Sequence, residues 1–291
     1  MMPQSILQTA LLDLHYELRD TGVVLLLGGG YGLYLKQLQL QNLREPPRTI
    51  LRGEVWPVPR STEDLDLFLS TDIVTDVGQM RAIRAALDRL GYQVIEAAKF
   101  FQFAKPIGTA GRVKIDFLTG PISDAATANK IHRNLPRVRS RARVELHAYL
   151  TEEALDLHEN PMIIELTAVL STGDAHTATV YVPQPFTFLL MKLHAFAYRV
   201  DDTDKDLGRH HALDIYRLVA MMTESEYQHA LGLAAKYRGH KAMARATAIV
   251  HDHFASDTSR GILRLREHSL YDPKFDQNAM IQVLAEIFPP P

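Results

Sequence analysis

The chain has 291 residues, 46% hydrophobic and 23% charged, with a formal net charge of −2 and no cysteine. This composition is that of a folded globular protein and excludes a disordered majority. The charge excludes a global positive field for nucleic acid, and the missing thiols exclude disulfides and thiolate-held metal centres, so a cytoplasmic, reducing compartment is expected.

The N-terminus, MMPQSILQTALLDLHYELRD, lacks a basic start followed by an apolar core and does not read as a secretory signal. Ile6, Ala10, Leu11, Leu14 and Leu18 recur at helical spacing, and Gly22 is a helix stop. The most apolar run, residues 23–27, reads as a fully buried strand and is too short for a bilayer, which needs about 20 residues. It ends in Gly28, Gly29 and Gly30, after which residues 31–41 return to a helical pattern. A strand, a glycine turn and a helix in that order expose backbone N–H groups where phosphate can sit. No Gly-Lys-Ser/Thr follows, and Leu33 stands where a dinucleotide fingerprint needs its third glycine, so neither common phosphate motif fits. A tight turn with close packing accounts for the same glycines.

Residues 42–59 hold four prolines and the only tryptophan and read as an irregular insertion or flap, with a short hairpin around Gly53. Next comes RSTEDLDLFLS, residues 60–70. Side chains alternate across a strand, so Asp64 and Asp66 face one way while Leu65, Leu67 and Leu69 face a core. A divalent cation, which takes carboxylate and phosphate oxygens, is the simplest offset to the repulsion between the acids. A solvated strand edge with two ordinary surface acids also fits.

Residues 73–90 have the periodicity of one helix closed by Gly91, followed by strand-like YQVIEA and KFFQFAK. In RVKIDFLTG, Val113, Ile115 and Phe117 alternate against Lys114, Asp116 and Leu118. Asp is depleted in strand interiors, so Asp116 beside the Asp64 and Asp66 pattern invites a common cause. Residues 130–143 are the most basic stretch, with five arginines, and suit either an RNA backbone or a solvated linker. VELHAYL, MIIELTAVL and ATVYVP read as three further strands, carrying the sheet to about Val182. The remainder reads as helical: residues 184–199, residues 207–222, and three more helices between Glu224 and Phe288.

Taken together, the strand, Gly-Gly turn, helix, Asp-x-Asp strand and later single Asp resemble the DNA polymerase β-like nucleotidyltransferase superfamily, and within it the AbiEii-type family, which includes toxins of toxin–antitoxin pairs. Arg60, Ser61, Thr62 and Glu63 resemble that family's lead-in to the Asp-x-Asp. Lys192, Arg199, Lys205-Asp206 and Asp214-Ile215-Tyr216 resemble its later lysine, arginine, Lys-Asp and Asp-Ile/Leu-Tyr elements. Gly30 departs from it, standing where serine or threonine is common. The resemblance implies an α+β fold in which a polymerase β-like core with a mixed sheet, residues 1–183, precedes a helical domain, residues 184–291. It implies transfer of NMP from an NTP to an acceptor hydroxyl with two Mg²⁺ ions. Asp64, Asp66 and Asp116 would be the ligands, with Asp116 also taking the hydroxyl proton. Gly29, Gly30 and Thr62 would bind phosphate, and Arg60, Lys192 and Arg199 would neutralise charge as pyrophosphate leaves. The acceptors it suggests are tRNA or other RNA, a protein, or a small molecule such as an aminoglycoside, with a cognate antitoxin as a possible partner and no membrane.

Each motif residue has a plainer reading too. Lys192 fits a surface lysine whose stem lies along apolar surface. Lys205-Asp206 fits a helix-start ion pair, and Asp214 fits an i,i+4 partner of His210. The thirteen histidines are expected at the surface, since His210-His211 and His251/His253 lack the His-x-x-x-His spacing of a metal pair. A non-catalytic nucleotide-binding module that keeps the fold is the competing function.

Overall fold

The computed structural model describes residues 4–44, 48–51, 56–60, 62–108, 111–122 and 124–290. The hairpin expected around Gly53, and Ser61 of the acidic lead-in, lie outside them. The chain forms two compact units, one of Met1–Lys36, Ser61–Glu152 and Leu157–Pro183, the other of Gln37–Arg60, Glu153–Asp156 and Gln184–Pro291.

The first unit opens with α1, Gln4–Leu18, in which Ala10, Leu11, Leu14 and Leu18 are buried as expected, while Ile6 is half-buried and Leu7 takes the core position beside it. The run 23–27 yields only β1, Leu26–Leu27, although Tyr181 also donates to the Leu25 carbonyl. Val24 is 49% exposed, so the expectation of a fully buried strand fails at its start: nothing pairs there to cover it. Helix α2, Gly29–Asn42, begins within the glycine turn and runs from the first unit into the second.

β2, Asp64–Leu69, follows the acidic lead-in, and Leu65, Leu67 and Leu69 are fully buried as alternation requires. The single helix expected over residues 73–90 is two: α3, Thr71–Thr75, and α4, Val77–Arg89. Asp76 divides them. It is the C-cap of α3, and its carboxylate accepts from the Gln79 amide to cap α4, a use of Asp that competes with continuing the helix. The strand-like 92–106 region is shorter than its apolar pattern, with β3 at Gln93–Val94 and β4 at Gln102–Pro106 separated by a turn of 3₁₀-helix.

β5, Arg112–Thr119, alternates as read, with Val113, Ile115 and Phe117 fully buried. After α5, Ala125–Lys130, the arginine-rich stretch is no linker. It forms the hairpin of β6, Ile131–Asn134, and β7, Arg137–Ser140, anchored by buried Ile131 and Val138. Only the end of VELHAYL is strand, β8 at Ala148–Leu150, whereas β9, Met162–Val169, follows its expectation and β10, Ala175–Val182, starts three residues before ATVYVP. The strands make one mixed sheet in the order β6-β7-β8-β5-β2-β1-β10-β9, with β4 also on β5 and β3 on β4. β2 lies parallel to β5 and antiparallel to β1.

The second unit is helical. α6 spans Pro185–Arg199, with proline at its start where a missing N–H costs nothing. α7, Arg209–Ala220, starts later than expected because Asp206 and Leu207 adopt positive φ and Gly208 precedes the helix in a left-handed conformation. Four helices follow where three were expected: α8, Glu224–Lys236; α9, Lys241–His253; α10, Arg260–Arg266; and α11, Gln277–Ile287. The fourth arises from α10, too short to register as a periodic run. The fold is thus α+β, a mixed sheet with helices followed by C-terminal helices. Among the described residues no helix is long and apolar enough to cross a membrane.

Candidate functional site

In the first unit the parallel register of β2 on β5 sets Asp66 beside Asp116 and Asp64 beside Lys114. With the intervening leucines, Ile115 and Phe117 turned into the core, the three acids and the lysine share one face. Lys114 Nζ reaches Asp64 Oδ2 at 3.0 Å and Asp116 Oδ2 at 3.3 Å. Gln102, cross-strand from Asp116 on β4, donates to the same Oδ2 at 2.8 Å. Asp116 Oδ1 is buried with no hydrogen-bond partner. A buried oxygen left in that state is uncommon and unfavourable.

The electrostatics follow from this placement. Burial first, and then the negative charge of Asp66, push the Asp116 carboxyl up to about 7, with Asp64 adding to the rise and Lys114 and Gln102 opposing it. Burial would lower the Lys114 ammonium, but Asp116 and Asp64 reverse that and raise it.

The glycine turn abuts these acids. The Gly28 amide donates to the Asp66 carbonyl at 2.8 Å, and a Cβ on Gly29 would lie 1.7 Å from Asp66 Oδ2. Gly29 also has φ +59°, so two independent demands select glycine there. Gly30 lies in the first turn of α2. Thr62 is buried just before β2, its hydroxyl 3.5 Å from the Asp64 amide. Six of the expected site residues, Gly29, Gly30, Thr62, Asp64, Asp66 and Asp116, therefore belong to the first unit. The donors are hard oxygens, the kind a divalent cation takes. Among the described residues, however, no three carboxylate or imidazole side chains are already gathered as a metal cage. Lys114 spans two of the acids instead.

Arg60, Lys192 and Arg199 belong to the second unit. Lys192 is buried on α6, and its Nζ lies 2.7 Å from Asp214 Oδ2, which corrects the surface-lysine reading. Arg60 grips both Asp214 oxygens, through Nε at 3.1 Å and Nη2 at 2.8 Å, and Arg217 reaches Oδ1 at 3.3 Å. Gln37 accepts from Arg217 at 2.9 Å. Asp214 is fully buried; burial alone would raise its carboxyl, but Arg60, Lys192 and Arg217 hold it well below the usual carboxylate range. It is not the partner of His210.

Arg199 bonds to His211 at 2.9 Å. Burial lowers His211 well below its ordinary range and keeps it neutral, so its Nε2 accepts from the guanidinium. Asp206 binds Arg209 and the His210 amide rather than Lys205, because its left-handed backbone turns the carboxylate onto the first turn of α7. His211 and His268 are buried, against the surface expectation, and His210 Nδ1 lies 2.9 Å from His268 Nε2. The sequence alone did not single out Lys114, Gln102 or Asp214 for these contacts. The shared face of Lys114 and Asp116 was the one signal for the first.

A family profile described as "Nucleotidyl transferase AbiEii toxin, Type IV TA system" matches residues 50–282. The chain belongs to the AbiEii family. The match takes in Arg60, Asp64, Asp66, Asp116, Lys192, Arg199 and Asp214, and leaves out the glycine turn. Membership bears out the expected resemblance and makes nucleotidyl transfer the family's chemistry. A comparison with curated proteins found no match to the AbiEii chain. Among solved structures it is similar to the antibiotic-resistance factor ANT(2'')-Ia, determined in solution, at 13% identity over 82% of this chain and 100% of that one. The TM-score of 0.36 is too low to carry an argument.

Proposed function

We propose that this AbiEii chain is a Mg²⁺-dependent nucleotidyltransferase that moves NMP from an NTP to an acceptor hydroxyl. The acceptor oxygen bonds to the α-phosphorus, the bond to the oxygen bridging the β-phosphorus breaks, and pyrophosphate leaves. The observation that carries this reading is the face shared by Asp64, Asp66 and Asp116, with Asp116 Oδ1 buried and unsatisfied and Gly29 keeping the space above Asp66 clear of a side chain. These oxygens fit Mg²⁺ in kind, and Asp64, Asp66 and Asp116 would hold two ions, which when bound stabilise charge on the attacking and leaving oxygens.

The chain's own groups do the rest. Asp116 takes the proton of the acceptor hydroxyl, a part that rests on the family likeness. Backbone N–H groups of Gly29 and Gly30, with Thr62, receive phosphate oxygens. Arg60, Lys192 and Arg199 would offset the charge of the departing pyrophosphate on the family likeness alone; in the structure Arg60 and Lys192 are bound to Asp214 and Arg199 to His211. The acceptor class is tRNA or other RNA, a protein, or a small molecule such as an aminoglycoside. The reading includes a cytoplasmic location and a cognate antitoxin, in keeping with the family description.

The test is transfer of label from each α-³²P NTP, with Mg²⁺, to total RNA, to the protein itself and to aminoglycosides, with Asp64→Asn in parallel. Label on one acceptor that disappears in the variant is expected. Mg²⁺-dependent NTP binding without transfer would instead favour a nucleotide-binding module, and neither binding nor transfer would overturn both.

A further inference from the structure

Lys114 is the one charged side chain on the acid face whose role neither the family description nor the proposed chemistry uses. It stands on the same strand as Asp116, two residues before it, and beside Asp64 across the ladder. Its ammonium is within ion-pair distance of both, and it is mostly buried. Its single +1 charge is shared between two carboxylates, Asp64 and Asp116, and cannot neutralise both. The residual imbalance shows in Asp116 Oδ1, which is buried without a hydrogen-bond partner among the described residues. The ammonium thus stands on Asp64 Oδ2 and Asp116 Oδ2, two of the oxygen donors a divalent cation would take. A divalent cation drawn to Asp64 and Asp116 would be repelled by an ammonium already hydrogen-bonded to both carboxylates.

The cross-strand neighbour of Lys114 on β4 is Ala104, a single methyl.

We propose that Lys114 is a tethered counter-ion that occupies the carboxylate site of the metal-free protein and is displaced when a divalent cation binds Asp64 and Asp116. This rests on the proposed metal-dependent transfer. Lys114 holds the acids at their spacing while the site is empty of cation, lowers the apparent affinity for metal, and swings out on loading with its charge retained.

The test is calorimetric titration of the nucleotide-free protein with Mn²⁺ and with Mg²⁺, comparing wild type with Lys114→Met and Lys114→Arg. Lys114→Met is expected to bind at least tenfold more tightly, and Lys114→Arg no more tightly than wild type. Lys114→Met should also melt at a lower temperature than wild type in chelator, with the gap closing at saturating Mn²⁺. A second measurement needs only the wild-type chain: acylation of Lys114 by an amine-reactive reagent, read by mass spectrometry, should be slow in chelator and rise several-fold with Mn²⁺.

Equal or weaker metal affinity in Lys114→Met, or acylation unmoved by metal, overturns the lysine's role and leaves the transferase standing. Absence of divalent-cation binding in every protein overturns the inference together with the metal-dependent reading beneath it.

Discussion

Two charge clusters in this protein are built on opposite plans. In the helical unit one acid, Asp214, is fully buried and meets Arg60, Lys192 and Arg217, so its carboxylate is satisfied at both oxygens and held far below the usual range. In the sheet unit Asp64 and Asp116 share one lysine, Asp116 Oδ1 has no donor among the described residues, and the Asp116 carboxyl is pushed up. Cation excess around a buried acid fixes structure, because each group's desolvation is offset by a partner in place. Acid excess on a strand face is unfavourable unless something positive arrives. Buried charge alone does not distinguish a scaffold from a binding site. The sign of the imbalance does.

Substitutions that break either plan should differ in size and kind. Asp214→Ala removes the carboxylate common to three cations and should cost about 3–5 kcal/mol of unfolding free energy in denaturant titration. A loss under about 1 kcal/mol would mean the helical cluster is not the fastener described here. Gly29→Ala should cost about 1–3 kcal/mol, from positive φ and collision with Asp66, and should abolish NTP binding. Gly91 is the control: it has φ +80° with nothing near its absent Cβ, so Gly91→Ala should lose only the backbone part, about 1–2 kcal/mol, and keep NTP binding.

The third test is of pH. A carboxyl raised in the folded state binds its proton more tightly folded than unfolded. It therefore adds stability below the unfolded carboxylate range, and that stability is lost as pH rises through about 7. In chelator, wild type should lose stability relative to Asp116→Asn between pH 5 and pH 8; the histidines that burial lowers in both proteins act in the opposite sense and cancel from that difference. An unchanged slope in Asp116→Asn would contradict the imbalance on the sheet face. Smallest is Asp76→Ala, which removes the α4 cap and should cost about 1 kcal/mol while leaving metal and NTP binding alone.

What could be read in advance followed the range of the interaction. Alternation within a strand is local, so Asp64, Asp66 and Asp116 were found together with the leucines that orient them. The Asp214 partnership joins Arg60 to a residue 154 positions away, and no periodicity reports it. Lys192 misled because its helix is buried on nearly every face from Pro185 to Leu193, where an amphipathic pattern would have placed a lysine outside. Lys114 was placed on the right face, but its reach to Asp64 depends on which strand lies beside β5, a fact of topology. Asp76 carried a capping signal within a periodic run, and the periodicity masked it.

The ladder between β2 and β5 has a consequence for how this protein can vary. Because Asp66 and Asp116 meet through paired backbone rather than through a loop, the chain between the two strands can lengthen, shorten or be replaced without separating them. A single residue gained or lost inside either strand would instead rotate the acids on that strand into the apolar interior. Homologues and engineered variants should therefore tolerate insertions at the Gly91 turn after α4 far better than within 64–69 or 112–119. An insertion scan over these three stretches would separate the ladder that sets the site from the chain that merely connects it.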